Sequence, residues 1–177
     1  LPEISSQANF NGFGVALVNE NEVLYQNGFG ISNVETRQKY DENTVQNIAS
    51  VSKVFIGIAL LKAQELGKLK LDDPINKYLP FKVMNPYYAE IPITVRHLAT
   101  HTSSINDTEE YLTRTIVLKD TVNLADNLKI DISPTKFNPP SAKMPIEDFL
   151  NNILNVNGKW YLKDGFLNKK PGELYNY

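Results

Sequence analysis

The strongest constraint in this sequence is an uninterrupted apolar run at residues 54–61, followed shortly by Gly67. A helix that is apolar on all sides is typical of a protein interior. Glycine commonly occupies the first position after a helix. The pattern therefore predicts a buried helix over residues 51–66. Because a bilayer-spanning helix needs ~20 apolar residues, the run predicts no transmembrane segment.

Two strand-like runs precede this helix, at residues 12–19 and 23–31. The three polar residues between them predict a β-hairpin. Gly28 and Gly30, near the end of the second run, predict bulges or close backbone approach. The polar residues 32–43 predict a loop.

Helix-capping signals recur after the apolar run. Asp73 and Pro74 predict the cap and first position of a short helix that ends near Tyr78. One of the pair Asp72 and Asp73 is thereby explained as a helix cap, which argues against a catalytic carboxylate pair. Thr94 predicts the cap of a helix over residues 95–100.

The second half of the chain is less regular. Residues 106–145 are polar and proline-rich, which predicts an irregular surface insertion. Pro145 then begins an amphipathic helix with one apolar face, and residues 157–158 (Asn-Gly) end it.

Composition excludes several classes of protein. The chain has 177 residues, 42% of them hydrophobic, which is enough for one globular core. A net charge of -2 argues against a nucleic-acid partner. The absence of cysteine excludes disulfides and thiolate metal sites. The chain begins Leu-Pro-Glu with no visible signal peptide, so we expect a processed or trimmed chain.

Ser50 and Lys53 form an S-x-x-K tetrad at the start of the predicted helix. A spacing of three places both side chains on one face. A serine hydroxyl becomes a good nucleophile only when a base takes its proton. Lysine can be that base only in its neutral form, which desolvation and the positive end of the helix dipole both favour. The tetrad therefore predicts Ser50 as nucleophile and Lys53 as base.

The tetrad alone leaves a second interpretation open. About one S-x-x-K is expected by chance in a chain of this length. A second copy occurs at residues 133–136, in a proline-rich segment with no helix behind it, and we interpret it as accidental. Ser50 alone could equally be a helix cap beside a solvated lysine.

Three blocks of sequence, at residues 48–55, 65–80 and 93–103, favour the catalytic interpretation. They read IASVSKVF, ELGKLKLDDPINKYLP and ITVRHLATHTS. Their sequences, order and spacing closely resemble the β-lactamase/transpeptidase-like serine hydrolases. That family includes class C β-lactamases, penicillin-binding D,D-carboxypeptidases, D-aminopeptidases and esterases. The hairpin also resembles the first two strands of the family.

The resemblance implies a mixed α and β fold, with an antiparallel sheet flanked by helices and a mainly helical lobe. It implies acyl transfer to Ser50 from an ester, amide or β-lactam carbonyl of a small-molecule or peptide substrate, with no metal or organic cofactor. A catalytically inactive member that binds peptide or peptidoglycan fragments is the alternative. The resemblance also implies a periplasmic or secreted location.

The end of the chain resembles the second catalytic element of the family, a Tyr-x-Asn that follows a Pro-Gly pair. Pro171 and Gly172 lie six and five residues before Tyr177, which falls on the catalytic tyrosine. The resemblance implies that Tyr177 shares proton transfer with Lys53. Tyr175, two residues earlier, is the alternative, since most tyrosines are packing residues.

The third element of the family, Lys-Thr-Gly or His-x-Gly on a strand, is absent from this sequence. That strand would supply one of two oxyanion-hole donors. We therefore expect residues 1–177 to be the N-terminal portion of a single domain that lacks its C-terminal strands. Its partner would be the missing half of the same domain. We expect negligible turnover from residues 1–177 alone.

Some other residues invite functional interpretations. His97 and His101 have the spacing of a helical metal pair, but no zinc-protease Glu follows His97 and we predict no metal site. The family usually has glycine where Ser104 stands, so Ser104 is either strained or part of a rearranged loop. The aromatic pairs at 87–88 and 160–161 could line a cleft, although packing is the default.

Overall fold

The computed structural model describes residues 10–118 and 138–177. The chain divides into two units, Leu1–Lys53 and Val54–Tyr177. The first contains an antiparallel sheet, and the second is built from helices and irregular segments. The mixed α and β class predicted from the sequence is confirmed.

The first unit is a three-stranded antiparallel sheet in the order β1-β2-β3. Strand β1 is Gly12–Val18 and β2 is Val23–Asn33. They pair from Gly12 opposite Gly30 to Val18 opposite Val23, with a register shift near the turn. The predicted hairpin is confirmed. A short strand β3, Gln38–Lys39, lies in the segment predicted as a loop, because it pairs with the extended end of β2.

The two glycines late in β2 mark close approach of backbones, as predicted. A Cβ atom at Gly28 would collide with the backbone of Tyr40 and Asp41. Gly30 has a φ of 78° and faces the carbonyl of Asn11, where a side chain could not fit. Both positions therefore require glycine.

Helix α1, Lys53–Glu65, follows a 3₁₀ turn at Ala49–Ser52. It ends in a Schellman motif, in which the Lys68 amide donates to the Ala63 carbonyl at 2.9 Å and Gly67 has a φ of 66°. The predicted helix and its glycine terminator are therefore confirmed, although the first turn is 3₁₀ rather than α-helical.

The predicted burial of this helix is wrong for the described chain. None of its residues is buried, and Val54, Phe55 and Leu61 are each more than half exposed. Within residues 10–118 and 138–177, Leu60 is its one side chain that packs against the core cluster of the second unit. An apolar pattern indicates that the whole surface of a helix is apolar. It does not identify the segment that covers this surface.

The core of the second unit includes two segments that follow α1, around residues 75 and 93, which are hydrogen-bonded to each other. Its buried members are Ile75, Val83, Ile93, Val95 and Phe166. Backbone hydrogen bonds join the two segments: the Ile75 amide donates to the Ile93 carbonyl at 2.9 Å. Apolar burial of this kind contributes about 1.5–3 kcal/mol per large side chain. This small core holds the framework of the second unit.

The predicted capping role of Asp73 is wrong. The short helix is a 3₁₀ turn, Ile75–Lys77, whose cap residue is Pro74 and has no side-chain cap bond. The Asp73 carboxylate instead accepts from Lys77 Nζ at 2.7 Å and from the Tyr78 hydroxyl. The hydrogen bond from Lys77 is the main reason that the pKa of Asp73 is lowered. The Asp73 carboxylate therefore binds donors other than the first amides of the turn, among them the backbone of Lys70.

The cap at Thr94 is confirmed. Helix α2, Val95–Ala99, begins with a reciprocal capping box. Thr94 Oγ1 accepts from the His97 amide at 3.2 Å, and His97 Nδ1 accepts from the Thr94 amide at 3.2 Å. Burial lowers the pKa of His97, which favours the neutral ring that this acceptor role needs.

Two more helices complete the described second unit. Helix α3, Glu109–Arg114, lies inside the segment predicted to be irregular, where Thr108 caps it. Helix α4, Ile146–Leu154, follows Pro145 as predicted. The second S-x-x-K copy at 133–136 lies outside the described residues. Among the described helices, none has the length and apolar character needed to cross a membrane.

Ser104 adopts the strained conformation that the sequence left as one of two alternatives. Its φ is 65° and it is 2% exposed. Its Oγ accepts from Asn85 Nδ2 at 2.8 Å, and its carbonyl accepts from the Leu167 amide at 2.8 Å. The buried Asn85 thus fixes a serine where glycine would be unstrained.

The strain and the hydrogen bond at Ser104 can be separated by two substitutions. Ser104→Ala loses the acceptor for Asn85 and keeps the strain, so we expect the free energy of unfolding to fall by about 1 kcal/mol. Ser104→Gly loses the same acceptor but removes the strain, so it should be more stable than the alanine variant. Denaturant unfolding measures both. An alanine variant as stable as the glycine variant would contradict the strain.

Candidate active site

The two predicted catalytic side chains of the first unit are in contact. Ser50 lies in the 3₁₀ turn Ala49–Ser52, and Lys53 is the first residue of α1. A 3₁₀ turn has three residues per turn, so side chains at i and i+3 lie above one another. Lys53 Nζ donates to Ser50 Oγ at 2.9 Å.

This contact has the geometry that proton transfer requires. A general base must lie within about 2.6–3.2 Å of the heavy atom whose proton it takes. At 2.9 Å the lysine ammonium donates to Ser50 Oγ, and a neutral amine could accept the serine proton along the same line. The pair can therefore activate a serine hydroxyl once Lys53 is neutral.

The predicted desolvation of this pair is wrong within the described chain. Ser50 and Lys53 are both exposed, as is most of the apolar surface of α1 behind them. The expectation assumed that an apolar helix is covered, and the described residues do not cover it. The contact between the two side chains therefore rests on local backbone geometry and not on burial.

Ala49, directly before Ser50, is a site of backbone strain. Its φ is 44°, a left-handed conformation that costs about 1–2 kcal/mol for a residue with a Cβ atom. The Ala49 amide donates to Asn47 Oδ1 at 2.7 Å, a turn that Asn side chains commonly make. Strained residues of this type cluster at functional sites. Neither residue was predicted as part of the site, although an Asn two positions ahead of a helix start was an available signal.

The segment that carries Tyr177 lies along residues 101–106 in the second unit. The Gly172 amide donates to the Thr102 carbonyl at 2.8 Å, and the Asn176 amide donates to the His101 carbonyl at 2.8 Å. Asn176 Nδ2 also donates to the Ile105 carbonyl at 3.3 Å. These bonds fix the backbone on which Tyr177 is mounted.

His101 lies between the two tyrosines that compete for the catalytic assignment. Its ring centroid is 4.8 Å from that of Tyr177 and 5.9 Å from that of Tyr175, both in edge-to-face geometry. Both tyrosines are exposed, so burial does not separate them. The contact of His101 with the tyrosine pair was not predicted, because the sequence suggested only a metal-ligand role for this residue. Its φ of 54° places it outside helix α2.

The described residues offer no cluster for a cation. In residues 10–118 and 138–177, no group of three or more His, Asp or Glu side chains is placed to hold a metal ion. His97 uses Nδ1 in the capping box, and His101 contacts the tyrosine rings. The two histidine side chains therefore make different contacts, one with the Thr94 backbone amide and one with the tyrosine rings.

A family model described as Beta-lactamase matches residues 2–129. The staphylococcal protein flp is 28% identical over 144 residues, which cover 81% of this chain. The human serine beta-lactamase-like protein LACTB, mitochondrial, is 33% identical over 111 residues, or 62% of this chain. The structure of the octameric penicillin-binding protein homologue from Pyrococcus abyssi matches 99% of this chain, with a TM-score of 0.57 and 25% identity.

These relatives are much longer than the matched region. The match covers 28% of the staphylococcal protein, 20% of the human protein and 33% of the Pyrococcus abyssi chain. The 177 residues therefore span a third or less of the length of each of these three proteins.

Proposed function

The chain belongs to the Beta-lactamase family, and on that premise we propose that it is a serine hydrolase that forms an acyl-enzyme on Ser50. The family consists of serine-reactive hydrolases. The hydrogen bond of 2.9 Å between Lys53 Nζ and Ser50 Oγ is the observation that carries the proposal. The substrate would present an ester, amide or β-lactam carbonyl.

The first step is acylation. Ser50 Oγ attacks the carbonyl carbon while its proton passes to Lys53 Nζ, and a tetrahedral intermediate forms. The Ser50 backbone N–H would be one donor to the developing oxyanion. When the carbon–heteroatom bond breaks, the leaving group takes a proton from Lys53 or from Tyr177. The products are an ester on Ser50 and a free amine or alcohol.

The second step is deacylation. Water attacks the Ser50 ester and gives one proton to the base, and the serine oxygen leaves and recovers its proton. The net reaction adds one water molecule across the substrate bond. Support for the part played by Tyr177 comes from the fixed backbone of residues 171–177 and from the family resemblance of the Pro-Gly pair before it.

A catalytically inactive family member that binds peptide or peptidoglycan fragments is the second candidate. The exposure of Ser50 and Lys53 is compatible with it, because a binding role needs only that these side chains contact a ligand. We further propose a periplasmic or secreted location, which has only the family resemblance to support it.

Covalent labelling distinguishes the two candidates. A fluorophosphonate or fluorescent penicillin should label the full-length protein at Ser50, and Ser50→Ala should remove the label. Ser52→Ala is the matched control, since Ser52 lies in the same 3₁₀ turn and should keep the label. Label that persists in Ser50→Ala would refute the assignment of the nucleophile. Failure to label with any probe would favour the binding role.

We also propose that residues 1–177 need further polypeptide to turn over substrate. The chain spans a third or less of the length of the compared relatives, and it lacks the Lys-Thr-Gly or His-x-Gly element. The absence of one oxyanion donor lowers the rate by about 10²–10³-fold. Hydrolysis of a chromogenic ester or cephalosporin by this chain should therefore be far slower than by the full-length protein. Equal rates would contradict this.

A further inference from the structure

The second unit contains a cavity of about 500 Å³ that the hydrolase chemistry does not use. It lies between helix α3, the 3₁₀ turn Pro140–Ala142 and helix α4. Cavities of roughly 300–1,000 Å³ commonly hold small organic ligands.

The wall of the cavity is mainly apolar and aromatic. Tyr111, Phe149 and Trp160 form a row in which neighbouring ring centroids are 6.2 and 6.1 Å apart. Met144 and Ile146 are among the other apolar lining residues, and Ile146 is 70% exposed. A ligand that covered these side chains would gain about 25 cal/mol for each Å² of apolar surface removed from water.

The charged lining residues are cationic. Arg114 and Lys143 are its two charged members, and no Asp or Glu is among the lining residues. Arg114 Cζ lies 4.5 Å from the centre of the Trp160 ring, which positions the guanidinium beside the aromatic row. Glu110, outside the lining, accepts from Arg114 Nε at 2.6 Å. Lys159, outside the lining, adds a further cation, with its Nζ 5.9 Å from the centre of the Trp160 ring.

The salt bridge leaves Arg114 able to bind an anion. A guanidinium has five N–H donors, and the bond to Glu110 uses one of them. A guanidinium with donors to spare beside an apolar wall is suited to a carboxylate attached to a hydrocarbon. Lys143, on the same lining, adds a second positive charge.

We propose that this cavity binds a medium-chain alkyl carboxylate. The carboxylate lies at Arg114 and Lys143, and the chain lies against Phe149, Trp160 and Ile146. The site is separate from the Ser50 chemistry, and its occupation requires no covalent step.

Trp160 is the only tryptophan in the 177 residues, so its fluorescence reports on the cavity directly. Decanoate, titrated below its micelle concentration, should change this fluorescence saturably. Decyltrimethylammonium, with the same chain and the opposite charge, should bind at least tenfold more weakly, the effect of about one charge-assisted hydrogen bond. Equal responses to both ligands, or no response to decanoate, would overturn the proposal.

A pair of charge substitutions locates the site. Ile146→Asp places a negative charge on the lining and should weaken decanoate binding at least tenfold. Val156→Asp is the matched control, because Val156 is also exposed, at 54%, and is not a lining residue. Both variants should keep the thermal unfolding midpoint of the parent chain. Equal weakening by the two substitutions would overturn the assignment of the site. The comparison of decanoate with decyltrimethylammonium on the parent chain tests the proposal without any variant.

Discussion

The hydrogen bond between Lys53 Nζ and Ser50 Oγ is the contact on which the functional account of this chain depends. It exists because the backbone changes from a 3₁₀ turn to an α-helix at Lys53. The left-handed Ala49 and its bond to Asn47 set the entry to that turn. Ser50, the proposed nucleophile, therefore follows a strained backbone position, a common feature of functional sites.

In the second unit, the buried side-chain amide of Asn85 connects two segments of the chain. Asn85 Nδ2 donates to Ser104 Oγ and to the carbonyls of Leu167 and Lys169, at 2.8–3.0 Å. This joins the loop after α2 to the segment that leads to Tyr177. Because a buried amide without partners costs about 1–3 kcal/mol, these bonds must form together. The same loop carries His101, whose ring contacts both terminal tyrosines.

The sequence predicted those features that depend on local chemistry. The hairpin, the glycine after α1 and the helix cap at Thr94 each follow from a few neighbouring residues. Features that depend on distant partners were wrong or missed. Helix α1 has the apolar pattern of a buried helix, but among the described residues only its Leu60 packs against the core. The Asp73 carboxylate accepts from Lys77 and Tyr78 and does not cap the turn that follows it. The strain at Ala49 was also missed, although its partner Asn47 is local, because alanine itself gives no sign of a positive φ.

The role of Lys53 as the base that activates Ser50 is tested most directly by the rate of covalent acylation. The rate with a fluorescent penicillin or fluorophosphonate should be measured for the full-length protein and for its Lys53→Met and Lys62→Met variants. Lys62, on the same helix and paired with Glu65, is the matched control. The account predicts that Lys53→Met slows acylation of Ser50 by about 10²–10⁴-fold, while Lys62→Met leaves it unchanged. Acylation of the Lys53→Met variant at the parent rate would contradict it.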